Sequence, residues 1–269
     1  MNLVVSSHET YVATGGCAFD PKKPTVVFVH GSGLDHRCWA LQSRWFAYHG
    51  FSVFAPDFPG HSLSAGEPIK SIEAMSKWLV KALKLADCDS IHLVGHSAGF
   101  LIALEAANTL GDKLKTLTAV ASAAAIPVNE LLIETAKNSS QDAADMMLKW
   151  GFGNKSQKGT SAVPGMQPIA IGRQIMSNNP LAVDLIACSK YTDGLKRAKE
   201  IVVPSNVVLA AEDKMTPHKL GVELAEALNA EVTSIRNTGH MLPMESPKAS
   251  LDAIRPFIAK TLSLSLIHI

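Results

Sequence analysis

Short β-branched runs alternate along the chain with stretches whose apolar residues recur at helical spacing, the rhythm of a mostly parallel sheet with crossover helices. Residues 25–30 (TVVFVH) are apolar almost throughout, which suits a strand buried on both faces. A helical stretch is expected near residues 38–49, then a strand over 51–55 closed by Pro56. Within 69–85, Ile72, Met75, Leu79 and Leu83 fall on one helical face. Residues 90–94 (SIHLV) read as a central strand, 97–110 as a helix rich in Ala and Leu, and 115–121 as a further strand.

The pattern then changes. Residues 122–200 hold helical segments at 129–137 and 141–150, a Gly/Ser/Lys-rich stretch at 151–165, and no convincing strand. Strand rhythm returns at 205–210 and 231–236, and a helix over 249–261 closes the pattern. The organisation expected is an α/β core made of residues 1–121 and 201–263, with 122–200 inserted as a helical cap over the carboxyl ends of the strands, where open α/β sheets bind ligands. The last six residues, 264–269 (LSLIHI), resemble the translation of a sequencing-adapter end joined to an environmental read, and are set apart from the fold.

Composition narrows the function. The chain has 269 residues, 47% hydrophobic and 18% charged, which fits one globular unit of the larger α/β type. A net charge of +1, with Lys and Arg scattered, offers no basic field for nucleic acid. No apolar stretch is long enough to span a bilayer, and the first ten residues lack the basic-then-apolar order of a signal peptide. Cys17, Cys38, Cys88 and Cys188 are far apart and read as reduced thiols of a cytoplasmic protein. His and Cys show no metal-ligand spacing, so neither metal nor cofactor is expected.

Gly95-His96-Ser97-Ala98-Gly99 is a G-x-S-x-G motif between a strand and a helix, the context in which it carries chemistry. A serine on so sharp a turn needs neighbours without bulk, which Gly95 and Gly99 supply. His30-Gly31-Ser32-Gly33 follows the first apolar strand, where small residues let backbone N–H groups face an oxyanion. The expected donors are the N–H groups of Ala98 and Ser32, with Gly33 the rival of Ser32. Asp213 follows the strand that ends in VVLA; Thr216 and Pro217 resemble the N-cap and first residue of the next helix, and Glu212 is the rival acid. A lone loop histidine is usually a surface or structural residue, but His240, after the last strand, completes the order Ser, Asp, His.

Together these motifs resemble the α/β-hydrolase superfamily, in its capped esterase and lipase-like branch, over residues 25–261. Residues 57–64 (DFPGHSLS) also look like that family's D-x-P-G-H-G-x-S loop, with Ser62 in place of the usual glycine. The resemblance implies Ser97 as nucleophile, Asp213 as acid and His240 as base. Relatives with dehalogenase or epoxide-hydrolase chemistry carry an aspartate at the elbow, which Ser97 disfavours. The activity expected is hydrolysis of a small-molecule carboxylic ester through an acyl-enzyme. A C–C bond hydrolase, a lactonase or a cofactor-free perhydrolase would use the same triad. C–C hydrolases often carry Pro-Gly after the HGSG segment, where this chain has Leu34-Asp35. A ligand receptor that keeps the fold is the reading from another class.

Apolar side chains near the motifs suit an acyl pocket: Trp39, Met215 and Met241 in the core, Trp150 and Tyr191 in the insertion. Met146 and Met147, on one helical turn, read as core. No triad candidate lies in the insertion, so it is expected to set substrate size and not the chemistry.

Overall fold

The computed structural model describes residues 1–262; the 264–269 tail, and the last residue of the expected core segment, lie outside them. The elements run β1 (Asn2–Val5), β2 (His8–Ala13), β3 (Thr25–Val29), α1 (Ala40–Ala47), β4 (Ser52–Pro56), α2 (Ile72–Leu85), β5 (Ile91–His96), α3 (Ala98–Leu110) and β6 (Leu114–Val120). Six helices come next without a strand: α4 (Glu130–Asn138), α5 (Ser140–Gly151), α6 (Asn154–Gln157), α7 (Pro168–Ser177), α8 (Leu181–Lys190) and α9 (Gly194–Lys199). The core resumes with β7 (Ser205–Ala210), α10 (His218–Leu228), β8 (Glu231–Ile235), α11 (Leu242–Glu245) and α12 (Pro247–Thr261).

The sheet order is β1-β2-β4-β3-β5-β6-β7-β8, parallel from β4 onward, with β1 and β2 antiparallel at one edge. The central strands alternate between two apolar layers. Val27, Val29, Leu93, Leu117 and Leu209 pack on one face with α2, α3 and α10. Val26, Phe28, Val94, Val120 and Val208 pack on the other with α1 and α12. Both faces are covered, which is why these strands read as unbroken apolar runs. The second layer continues into the insertion through Leu132, Met147, Leu148, Ile175, Met176 and Leu185, so the helical cap shares a core with the sheet it covers.

The β1–β2 hairpin is absent from the sequence expectations. Its two-residue turn is Ser6-Ser7, with φ of 50° and 69°, a left-handed pair usually signalled by Asn or Gly. The helix expected from Pro217 starts one residue later, at His218, with Pro217 as the cap. Thr216 instead turns its hydroxyl to Asp213.

Candidate active site

Ser97 stands between β5 and α3 with φ 54° and ψ −127°, a strained conformation for a residue with a side chain. The elbow depends on its glycines. A Cβ on Gly95 would lie 2.4 Å from the Phe100 Cα, and one on Gly99 would lie 2.4 Å from the carbonyl oxygens of Val29 and His30. The turn holds the Ser97 carbonyl against the Ser122 hydroxyl, which donates to it at 2.9 Å, and lifts the Ser97 hydroxyl above the sheet.

His240 Nε2 lies 2.9 Å from Ser97 Oγ, and His240 Nδ1 lies 2.9 Å from Asp213 Oδ2. A carboxylate only accepts, so Nδ1 carries the proton and Nε2 is left to accept from the serine. Asp213 is fixed in turn. Its Oδ1 accepts the N–H groups of Met215 and Thr216, each at 2.8 Å, and its Oδ2 accepts the Thr216 hydroxyl at 2.7 Å. Burial alone would raise the Asp213 pKa; His240 and the Thr216 donors outweigh it and hold the carboxyl below its ordinary range. Glu212 does not compete: its Oε2 accepts the Asn154 N–H at 2.7 Å, at the start of α6.

Two residues that the sequence reading passed over hold the histidine loop. His96, the variable residue of the elbow motif, donates from Nε2 to the His240 carbonyl at 2.8 Å. Burial, with His240 alongside, lowers its pKa to about 3, so it stays neutral. Glu245 accepts the N–H groups of Gly239 at 2.8 Å and Gly153 at 3.0 Å, and so ties the loop to the insertion. Spacing carries no sign of either role, because both act through backbone atoms, those of His240 and Gly153 far away in sequence.

On the opposite side of Ser97, Gly31 is pressed against the elbow: a Cβ there would meet His96 Nδ1 at 3.0 Å and Ser97 Cβ at 3.1 Å. The Gly33 N–H is already taken by Asp184 Oδ2 at 2.7 Å. Among the described residues, the N–H groups of Ser32 and Ala98 have no protein acceptor. The N–H groups of the expected pair are thus free, and that of Gly33 is occupied.

Ser32 and Ser97 open onto a cavity of 390 Å³ between sheet and insertion. Its apolar wall includes Ile126, Leu132, Met147, Trp150, Leu185 and Met215, and Asn129 and Lys214 also face it. Trp150 and Met215 thus lie where expected, and Met147 lines the cavity although its helical spacing read as core. Three pocket expectations are corrected by burial elsewhere. Trp39 is fully buried against Phe28, ring centroids 5.0 Å apart. Met241 sits in the core, its N–H bound to the Gly151 carbonyl at 3.0 Å. The Tyr191 hydroxyl donates to Glu105 Oε1 on α3 at 2.8 Å, away from the cavity. The one group of potential metal ligands among the described residues, Asp35, His36 and Asp57, is bound within the protein: Asp35 by Arg37, and Asp57 by the His36 ring.

Comparison with known proteins agrees with this geometry. A hydrolase of (E)-2-((N-methylformamido)methylene)succinate from Acinetobacter baylyi is 22% identical over 245 residues, covering 88% of this chain and 90% of that one. The enol-lactonase of Burkholderia xenovorans superposes with a TM-score of 0.85 at 20% identity, over 96% of this chain and 100% of that one. A thermophilic esterase from Thermogutta terrifontis gives 0.81 at 20% identity, over 97% and 98%. At such identities the solved structures speak for the fold. The sequence itself matches the Alpha/beta hydrolase family over residues 26–253, and with its strand–Ser97–helix elbow the chain belongs to that family.

Proposed function

We propose that the protein hydrolyses small-molecule carboxylic esters through an acyl-enzyme. The observation that carries this reading is the unbroken relay from Ser97 Oγ to His240 Nε2 and from His240 Nδ1 to Asp213 Oδ2, both steps at 2.9 Å, opening onto a mainly apolar cavity. His240 takes the proton as Ser97 Oγ attacks the ester carbonyl. Asp213 holds the imidazole in the accepting tautomer and stabilises the imidazolium that forms. The N–H groups of Ser32 and Ala98 face the developing oxyanion. The imidazolium then protonates the leaving alcohol, and the same histidine activates the water that releases the acid.

The chemistry calls on no metal or cofactor, because base, nucleophile and oxyanion donors all come from the chain. Four free thiols, three of them buried, support placing the enzyme in a reducing cytoplasm. The test is turnover of p-nitrophenyl acetate and butyrate by the wild type and by Ser97→Ala. Multiple turnovers that vanish in Ser97→Ala support an esterase. A wild type that binds ester without turnover is a receptor.

A further inference from the structure

The insertion also grips the loop that carries the oxyanion donor. Asp184, on α8, accepts the Gly33 N–H at 2.7 Å and the His61 Nε2–H at 2.9 Å on the same oxygen. His61 Nδ1 donates to the Pro59 carbonyl at 3.1 Å. Both partners only accept, so both ring nitrogens carry protons and His61 is an imidazolium. Burial works against that charge, but the Asp184 carboxylate and the Pro59 carbonyl outweigh it and raise the His61 pKa. Asn179, just before α8, donates from Nδ2 to the carbonyls of Gly33 and Leu34 at 3.1 Å each, while its Oδ1 accepts the Ser62 N–H at 2.9 Å. Leu181 fills the space beside Gly33, where a Cβ would lie 2.6 Å from its Cδ1.

These contacts fix consecutive peptide planes. The Gly31 carbonyl accepts from His30 Nδ1 at 3.0 Å and from the Leu34 N–H at 3.1 Å. In a trans peptide the carbonyl and the following N–H point in opposite directions. Anchoring the Gly31 carbonyl therefore aims the Ser32 N–H the other way. The next two planes are held by the insertion: the Gly33 N–H by Asp184 and the Gly33 carbonyl by Asn179. A loop with small residues and Gly33 at φ 68° has no stiffness of its own to keep that arrangement.

We propose that Asp184 and Asn179 are positioning residues for the oxyanion hole, acting through the backbone of Gly33 to keep the Ser32 N–H aimed at the reacting carbonyl. The insertion then contributes to the chemical step as well as to substrate fit. This rests on the serine-hydrolase reading above, and deepens it.

The experiment measures kcat and KM for p-nitrophenyl butyrate, and the inhibition constant of butylboronic acid, which bonds Ser97 Oγ and presents a tetrahedral boronate to the oxyanion hole. The variants are Asp184→Ala, Asp184→Asn, Asn179→Ala and, as control, Tyr191→Phe. That last change removes another hydrogen bond between insertion and core, remote from the loop. Asp184→Ala and Asn179→Ala should lower kcat by about ten- to a hundredfold, below the full cost of deleting a donor, with little change in KM. Boronate affinity should fall in step with kcat/KM. Asp184→Asn, which keeps the shape and one accepting oxygen, should recover part of the loss, and it stands in if Asp184→Ala does not fold. Tyr191→Phe should change neither reading. A rise in KM with kcat and boronate affinity unchanged would overturn the proposal, as would an equal loss in Tyr191→Phe. A wild type that neither turns over the ester nor binds the boronate would overturn the serine-hydrolase reading as well.

Discussion

The carboxylates of Asp213 and Glu212, adjacent on the loop after β7, serve different partners: Asp213 Oδ2 takes the His240 Nδ1–H at 2.9 Å, and Glu212 Oε2 takes the Asn154 N–H at 2.7 Å. Two backbone N–H groups donate to Asp213 Oδ1, which dictates what an amide would do there. In Asp213→Asn the oxygen must stay on that side, so the NH2 group faces His240 Nδ1 and forces the proton onto Nε2. The Ser97 hydroxyl then has no acceptor. A loss in kcat on the order of 10⁴-fold is expected. Glu212→Gln should leave kcat nearly unchanged, because it touches only the start of α6. Steady-state turnover of p-nitrophenyl acetate by both variants compares the two directly.

Gly99→Ala tests the elbow itself. The new methyl would sit 2.4 Å from two backbone oxygens of the β3 strand and the residue after it, Val29 and His30, and neither can withdraw without breaking the sheet. A stability loss of about 1–3 kcal/mol and a displaced nucleophile are expected. In Gly172→Ala the methyl clashes with the side chain of Leu148, at 2.7 Å, which can turn aside, while Met244 and Phe152 lie at ordinary contact distance. Thermal unfolding of the two variants should separate a backbone clash from a side-chain clash.

The parallel strands, the elbow and the triad were legible because each leaves a local signature. TVVFVH is apolar on both faces, and Ser97, Asp213 and His240 each follow a strand in a fixed order. The pocket was only partly legible. Met147 and Trp150 lie three residues apart on α5 and both reach the cavity, whereas Trp39, near the HGSG segment in sequence, turns into the sheet core. Proximity in sequence says nothing about which way a side chain faces. The brace of Asp184 and Asn179 was illegible for a stronger reason. It joins residues more than a hundred positions apart through backbone atoms, which have no sequence identity of their own.

Trp150 forms part of the apolar wall beside Leu132 and Met147, where it is expected to limit the acyl group. Trp150→Ala should move the preferred p-nitrophenyl ester to a longer chain, with kcat/KM for acetate falling while that for octanoate rises. Unchanged chain-length preference across the C2–C10 series would place the acyl group on another wall.

Among the described residues, Lys214 is the only side chain with a formal charge lining the cavity, and it has no ion-pair partner. An ester whose acyl group carries a carboxylate should therefore gain about fivefold in kcat/KM over its neutral counterpart, the worth of one exposed ion pair. Lys214→Met should remove that advantage, leaving the neutral ester unaffected. Mono-p-nitrophenyl succinate against p-nitrophenyl butyrate measures it, and added salt should shrink the difference.

Stability should fall in mild acid, and three buried histidines set the slope: His30, whose pKa burial and the neighbouring His61 lower, with His92 and His96. His92 and His96 are held neutral by burial, their pKa values lowered to about 4 and about 3, and one ring nitrogen of each has no partner that a second proton could serve. In the unfolded chain all three titrate near the ordinary histidine value of about 6.5. As pH falls below that value the unfolded state binds protons that the folded state refuses, so each histidine costs about 1.4 kcal/mol per pH unit until its folded pKa is reached. His61 does not offset this. Its folded pKa is raised, so its contribution is fully present below the unfolded value and is lost only as pH rises through the folded one. Glu245, pushed up by burial, works in the opposite sense to His92 and His96 above the ordinary glutamate range. Urea unfolding at pH 7.0, 5.5 and 4.5 should show the descent, and His92→Asn should flatten it by about a third while costing some stability at neutral pH through the lost Thr116 hydrogen bond. Stability that stays level from pH 7.0 to 4.5 would mean that these imidazoles take up protons in the native state.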